Sequence, residues 1–96
     1  MKKPIKLRFA SVWDAIEETP EDAESMKLRA RLMMMLQDRV NRENLSQEQM
    51  AKTLGVTQPR ASDLLRGRIV LFSIESLVGM LARLDLRVEI NIKQAA

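Results

Sequence analysis

Cysteine, histidine and tyrosine are all absent from this 96-residue sequence. Without cysteine the chain can form no disulfide and no thiolate metal site, and without histidine it lacks the commonest general base and metal ligand. Catalysis would have to rest on carboxylates, serine, threonine or lysine, and no spacing in the sequence pairs a nucleophile with a base. We therefore predict a protein that is not an enzyme and that binds no metal or cofactor.

Aromatic residues and long apolar runs are scarce as well. Phe9, Trp13 and Phe72 are the only aromatic residues, and glycine and proline occur three times each. Because 46% of the residues are nonetheless hydrophobic, the core must consist mainly of aliphatic side chains, a composition that favours packed helices. No apolar stretch is as long as a membrane span and the N-terminus lacks a signal-peptide pattern, so we expect a cytoplasmic protein with no membrane partner.

The charges are unevenly distributed along the chain, although the formal net charge is only +3. From Asp14 to Glu24 there are six acidic side chains and no basic one. From Lys52 to Phe72 there are four basic side chains against the single acid Asp63. This asymmetry predicts two partners of opposite charge.

Capping signals and hydrophobic periodicity predict a mainly α fold. Residues 1–10 alternate apolar and basic side chains, which fits either a short strand or a flexible basic arm. Residues 87–92 alternate again and predict a short C-terminal β-strand. Between them we expect about five helices, whose N-caps are Ser11, Thr19, Ser46, Thr57 and Ser73. The second of these helices is long, from Pro20 to about Asn44, because nothing within that range breaks it.

The long helix carries a broad apolar arc. The arc consists of Met26, Leu28, Leu32, Met33, Met35, Leu36 and Val40. An arc this wide indicates that the helix packs against two other elements, rather than facing solvent along one whole side. We expect core packing with Met34 exposed, and an adaptable methionine-lined binding surface is the alternative.

Residues 46–67 resemble the helix-turn-helix of phage-repressor (XRE-type) regulators. Ala51 is small where the second helix must cross closely, Gly55 makes the turn, and Val56 fills the gap between the helices. The residues expected to pack the second helix onto the core are Ala61, Leu64 and Leu65, and Gly67 ends that helix. An ordinary helical hairpin in a bundle is the alternative, but it does not require all of these residues together.

The resemblance implies that the second helix lies in the major groove of double-stranded DNA. The expected base-reading residues are Gln58, Pro59, Arg60, Ser62 and Asp63. Gln58 is the strongest of them, because its amide can make two hydrogen bonds to adenine. Arg60 either reads guanine or holds a phosphate, and Asp63 either accepts from cytosine or repels unsuitable sequences. The expected phosphate-binding residues are Gln47, Lys52, Thr57, Arg66 and Arg68, with plain surface charge as the alternative for the three cations.

A longer stretch, from about Met26 to Ile92, is similar to the HigA-like antitoxins of bacterial toxin–antitoxin pairs. The similarity lies in residues 57–68, 71–75, 81–84 and 87–90, and it departs from the family at Asp85, where glycine is usual. Aspartate tolerates the left-handed conformation that this turn requires. The resemblance implies an antitoxin that neutralises a RelE/HigB-like ribonuclease and represses its own operon. A stand-alone, prophage-type regulator with no toxin partner is the alternative.

On this basis the chain divides in two. Residues 1–25 form an N-terminal arm with a short acidic helix, and residues 26–96 form a helix-turn-helix DNA-binding and dimerisation domain. The acidic segment cannot help DNA binding, because it repels phosphate. It is either a solvated face or a docking surface for a small basic toxin ribonuclease. The candidate toxin contacts are Trp13, Asp14, Glu17, Glu18 and Glu21.

One helix-turn-helix contacts only a few base pairs, so we expect a homodimer on a palindromic operator. Val88, Ile90 and Ile92 give the predicted C-terminal strand an apolar face. Antiparallel pairing with the same strand of a second chain would satisfy both backbones and bury both faces. Pairing within the chain to residues 5–9 is the alternative.

Overall fold

The structure is a computed structural model that describes residues 19–94. Within this range the chain forms four α-helices, which are α1 (Pro20–Arg42), α2 (Gln47–Leu54), α3 (Gln58–Leu65) and α4 (Ile74–Arg83). A short 3-10 helix, Ile69–Leu71, joins α3 to α4. None of these helices is long and apolar enough to cross a membrane. The predicted mainly helical fold is confirmed, whereas the helix expected after Ser11 falls outside the described residues.

Each of the four helices begins at the hydroxyl residue that the sequence predicts as its N-cap. Thr19, Ser46, Thr57 and Ser73 each accept a hydrogen bond from the backbone N–H three residues further on, at 3.1, 3.1, 3.3 and 3.0 Å. At α2, Ser46 and Gln49 form a reciprocal capping box, because the Ser46 N–H also donates to Oε1 of Gln49 at 2.9 Å. These bonds satisfy N–H groups that the first helical turn leaves free.

One hydrophobic core joins the four helices. The long α1 lies against α4 and the 3-10 helix, and α2 packs on α3. The fully buried side chains at the centre are Leu36, Met50, Leu54, Leu64, Phe72 and Leu77. Two short helices alone could not bury this surface, and α1 and α4 complete it.

Two of the predicted core positions are wrong. Met35 of α1 is 56% exposed and Leu65 of α3 is 38% exposed. On α1 the buried arc runs from Leu32 and Leu36 toward Met33, so Met35, one residue before Leu36, lies beyond its opposite edge. On α3 the buried positions are Ala61 and Leu64, and the next residue is turned about 100° away from the core.

The C-terminal segment does not form the predicted strand within the single described chain. Residues 86–94 contain neither helix nor strand. They follow Asp85, whose φ of 61° confirms the left-handed turn expected there. Leu86 and Val88 pack against the core, while Ile90 and Ile92 are 71% and 88% exposed. Alternation predicts an extended amphipathic segment, but a ladder also needs a partner strand, and residues 19–94 provide none.

Candidate nucleic-acid interface

The turn between α2 and α3 is tight and holds its glycine in a left-handed conformation. Gly55 has a φ of 72°, in the left-handed region. A Cβ at Gly55 would lie 2.8 Å from Cζ and Nε of Arg83. Val56 follows with its N–H bonded to the Ala51 carbonyl at 2.9 Å, and its side chain packs against the core. Glycine is therefore required here for its conformation, and a Cβ would in addition displace the exposed end of the Arg83 side chain.

Two long side chains, one from α4 and one from α1, form hydrogen bonds to the C-terminal ends of α2 and α3. Nε of Arg83, in α4, donates to the Thr53 carbonyl near the end of α2 at 3.1 Å. Nε2 of Gln37, in α1, donates to the Leu64 carbonyl near the end of α3 at 2.8 Å. Both carbonyls lie in the last turn of their helix, and the Leu64 carbonyl also accepts from the Gly67 N–H at 3.0 Å. Neither residue was predictable from the sequence, because each bond joins positions about thirty residues apart.

The solvent-facing side of α3 carries most of the predicted base-reading residues. Pro59, Ser62, Asp63 and Arg66 follow the spacing i, i+3, i+4, i+7, which places them along one side of the helix. Pro59 and Arg66 are exposed, and Ser62 and Asp63 are half-buried. Gln58, the first helical residue, is exposed beside them. These five residues therefore lie together on the accessible side of α3.

Arg60 differs from the other predicted base readers. It is half-buried, and its guanidinium lies 4.1 Å from the centroid of the Phe72 ring. Its position on α3 lies one turn before the buried Leu64, so its side chain runs along the flank of the helix. Among the residues of α3 predicted to read bases, Arg60 is the one seated on the core.

The predicted phosphate-binding residues are exposed, and each lies at or near a helix end. Gln47 and Thr57 are at the N-termini of α2 and α3, where free N–H groups and the helix dipole favour an anion. Lys52 is in the last turn of α2, and Arg66 follows α3. Arg68, two residues after Arg66, forms an ion pair with Asp63 of α3, with its Nε 3.8 Å from Oδ1 of that residue.

The remaining site predictions fall at the two ends of the chain. Trp13, Asp14, Glu17 and Glu18 lie outside the described residues. Glu21 is exposed in the first turn of α1. At the C-terminal end the three candidate dimer residues differ in burial. Val88 packs on the core, whereas Ile90 and Ile92 are exposed to solvent.

Comparisons with known proteins agree with this geometry. A family model described as a helix-turn-helix domain matches residues 15–93. A solved structure of a "Putative XRE Family Transcriptional Regulator" is 38% identical, and its match covers 77% of this chain and 83% of that chain with a TM-score of 0.72. The comparison with curated proteins found no match.

Proposed function

This chain belongs to the helix-turn-helix domain family and is a DNA-binding transcriptional regulator of the XRE type, and on that premise we propose that it is an operon-autoregulating repressor and antitoxin. The observation that carries the DNA-binding part is the exposed side of α3, with Gln58 and Pro59 at its start. Ala61 and Leu64 on the opposite side are buried, and Gln37 of α1 donates to the Leu64 carbonyl, so this side would enter the groove as a fixed unit. Recognition helices of this type contact base edges through their N-terminal residues.

A selection experiment tests the DNA-binding part. The purified protein is incubated with a library of random-sequence duplexes, and bound duplexes are amplified over several rounds. We expect enrichment of a two-fold symmetric sequence whose half-sites are about 10–10.5 base pairs apart, or a multiple of that distance. Failure to enrich any sequence would contradict sequence-specific binding. An asymmetric site would contradict the symmetric dimer.

The dimer is supported by the unequal burial of one row of apolar side chains. Leu86, Val88, Ile90 and Ile92 are spaced by two, so in an extended segment they point to the same side. The first pair is packed on the core, and the second pair continues the row into solvent. Antiparallel pairing with the same segment of a second copy would cover Ile90 and Ile92 and supply the missing ladder.

The antitoxin part rests on the family resemblance and on charge. Glu21 is exposed in the first turn of α1. The sequence before it carries three further acids, Asp14, Glu17 and Glu18. An acidic surface of this kind would speed encounter with a basic ribonuclease and fix its orientation. A truncation is best placed after residue 18, because that leaves the Thr19 cap of α1 intact.

A growth-rescue assay tests the antitoxin part, using the small basic protein encoded next to this gene as the toxin. Two variants are co-expressed with it, the truncation of residues 1–18 and a full-length chain with amides at Asp14, Glu17, Glu18 and Glu21. We expect both variants to lose rescue while keeping the affinity of the parent for the selected duplex. Rescue by both variants would refute the acidic docking surface. Absence of a neighbouring small basic protein would favour the stand-alone regulator.

A further inference from the structure

Arg60 occupies a position that the stability of α3 does not explain. The other three helices carry an acid in the first turn, at Glu21, Glu48 and Glu75, which is favourable at the positive end of a helix dipole. The first turn of α3 has no acid and ends at Arg60. A cation there opposes the dipole, so a different interaction must account for it.

Arg60 also lacks a carboxylate partner among residues 19–94. Asp63, one turn further along α3, lies 3.8 Å from Nε of Arg68. Arg60 is instead held by the Phe72 ring, at 4.1 Å from its centroid. The positive charge is therefore fixed in place but not neutralised.

Phe72 is a rigid support for this stacking. The ring is 1% exposed in the centre of the core, and the backbone N–H of Phe72 donates to the Ile69 carbonyl at 3.1 Å. A guanidinium stacked on a ring uses one planar face and keeps its N–H groups free around its edge. The arginine can therefore donate to an anion while it remains stacked.

We infer that Arg60 holds a DNA phosphate at the flank of α3 and that Phe72 is the residue that positions it. This inference rests on the proposed DNA-binding function and goes beyond it, because the sequence leaves open whether Arg60 reads guanine or holds a phosphate. Seated on the flank, the guanidinium lies beside the row of Pro59, Ser62 and Asp63 rather than within it. The N-terminal end of α3 adds its own positive potential for the same phosphate.

The test uses the full chain and the duplex enriched by selection, with every single-base-pair substitution of that duplex. Arg60→Gln is compared with Arg31→Gln, which removes the same charge from the exposed side of α1. We expect Arg60→Gln to raise Kd roughly tenfold on every duplex, the loss of one charge-assisted contact. The slope of log K against log salt should fall by about 0.9. Arg31→Gln should change neither quantity.

Phe72 is tested by its dependence on Arg60. Phe72→Leu should raise Kd about two- to fivefold in the parent, the effect of losing a cation–π contact, and should leave Kd unchanged in the Arg60→Gln background. Phe72→Met is measured alongside, because its unbranched, flexible side chain adapts better than leucine to the space left by the ring. Equal losses in both backgrounds would show that Phe72 acts only through the core and would overturn its positioning role.

Three outcomes would overturn the role of Arg60. A loss confined to one base pair would make Arg60 a base reader. A lowered Tm with an unchanged Kd would make the stacking purely structural. If no duplex is enriched by the parent chain, the DNA-binding proposal fails, and the role of Arg60 fails with it. Enrichment by the parent followed by either of the first two results removes only the inference about Arg60.

Discussion

Arg66 is the residue whose exposure and position best suit a direct phosphate contact. It is the exposed C-cap residue of α3, and it has no ion-pair partner within residues 19–94. We predict that Arg66→Ala weakens binding to all duplexes by a similar factor and lowers the salt slope by about one unit. Affinity titrations at several salt concentrations measure both, with Arg31→Ala as the control. A loss restricted to particular base pairs would show that Arg66 reads sequence instead.

Which single-residue roles are visible in the sequence depends on how far apart the interacting residues are. The cap at Ser46 was predictable because its partner Gln49 is three residues away. The stacking of Arg60 on Phe72 was not, because the two meet only after the chain has turned at Gly67 and passed through the 3-10 helix. Asp85 was predictable as a left-handed residue because one backbone angle is a local property.

Among the secondary-structure elements and their connections, the α2–α3 turn should be the most sensitive point of the helix pair. We predict that Gly55→Ala lowers the free energy of unfolding by about 1–3 kcal/mol, from left-handed strain and loss of the exposed Arg83 bond to Thr53. Gly79→Ala is the matched control. Gly79 lies within α4 and a Cβ there meets nothing within 4 Å, so that variant should be stabilised by about 0.5–1 kcal/mol. Urea denaturation measures both, and equal effects of the two substitutions would refute the requirement at Gly55.

Helix positions were predictable for a physical reason that does not extend to the strand. A helix satisfies its own backbone, so caps and periodicity within one segment suffice to define it. A strand needs a second strand, and alternation in residues 87–92 shows only which side chains share a side. The exposure of Met35 has a similar origin, because periodicity gives the width of an apolar arc but not which edge of it the core covers.

The pairing of two chains should depend on the backbone of the C-terminal segment. We predict that Ile90→Pro blocks the ladder, because proline removes an N–H donor. Sedimentation should then show monomers, with weaker binding to the symmetric duplex. Lys93→Pro, just beyond the predicted strand, is the control and should remain dimeric. An Ile90→Pro protein that is still a dimer with unchanged affinity would place the interface on a helical surface.

Base reading by α3 depends on its N-terminal end, and a substitution at Gln58 is the sharpest test of it. The measurement is the binding free energy of the parent and of Gln58→Ala for the selected duplex and all its single-base-pair substitutions. We predict a loss of about 1–3 kcal/mol on the selected duplex. We also predict that discrimination disappears at one base pair in each half-site and persists at the others. Equal affinities of the two proteins for the selected duplex, or a uniform loss across all duplexes, would show that Gln58 does not read a base.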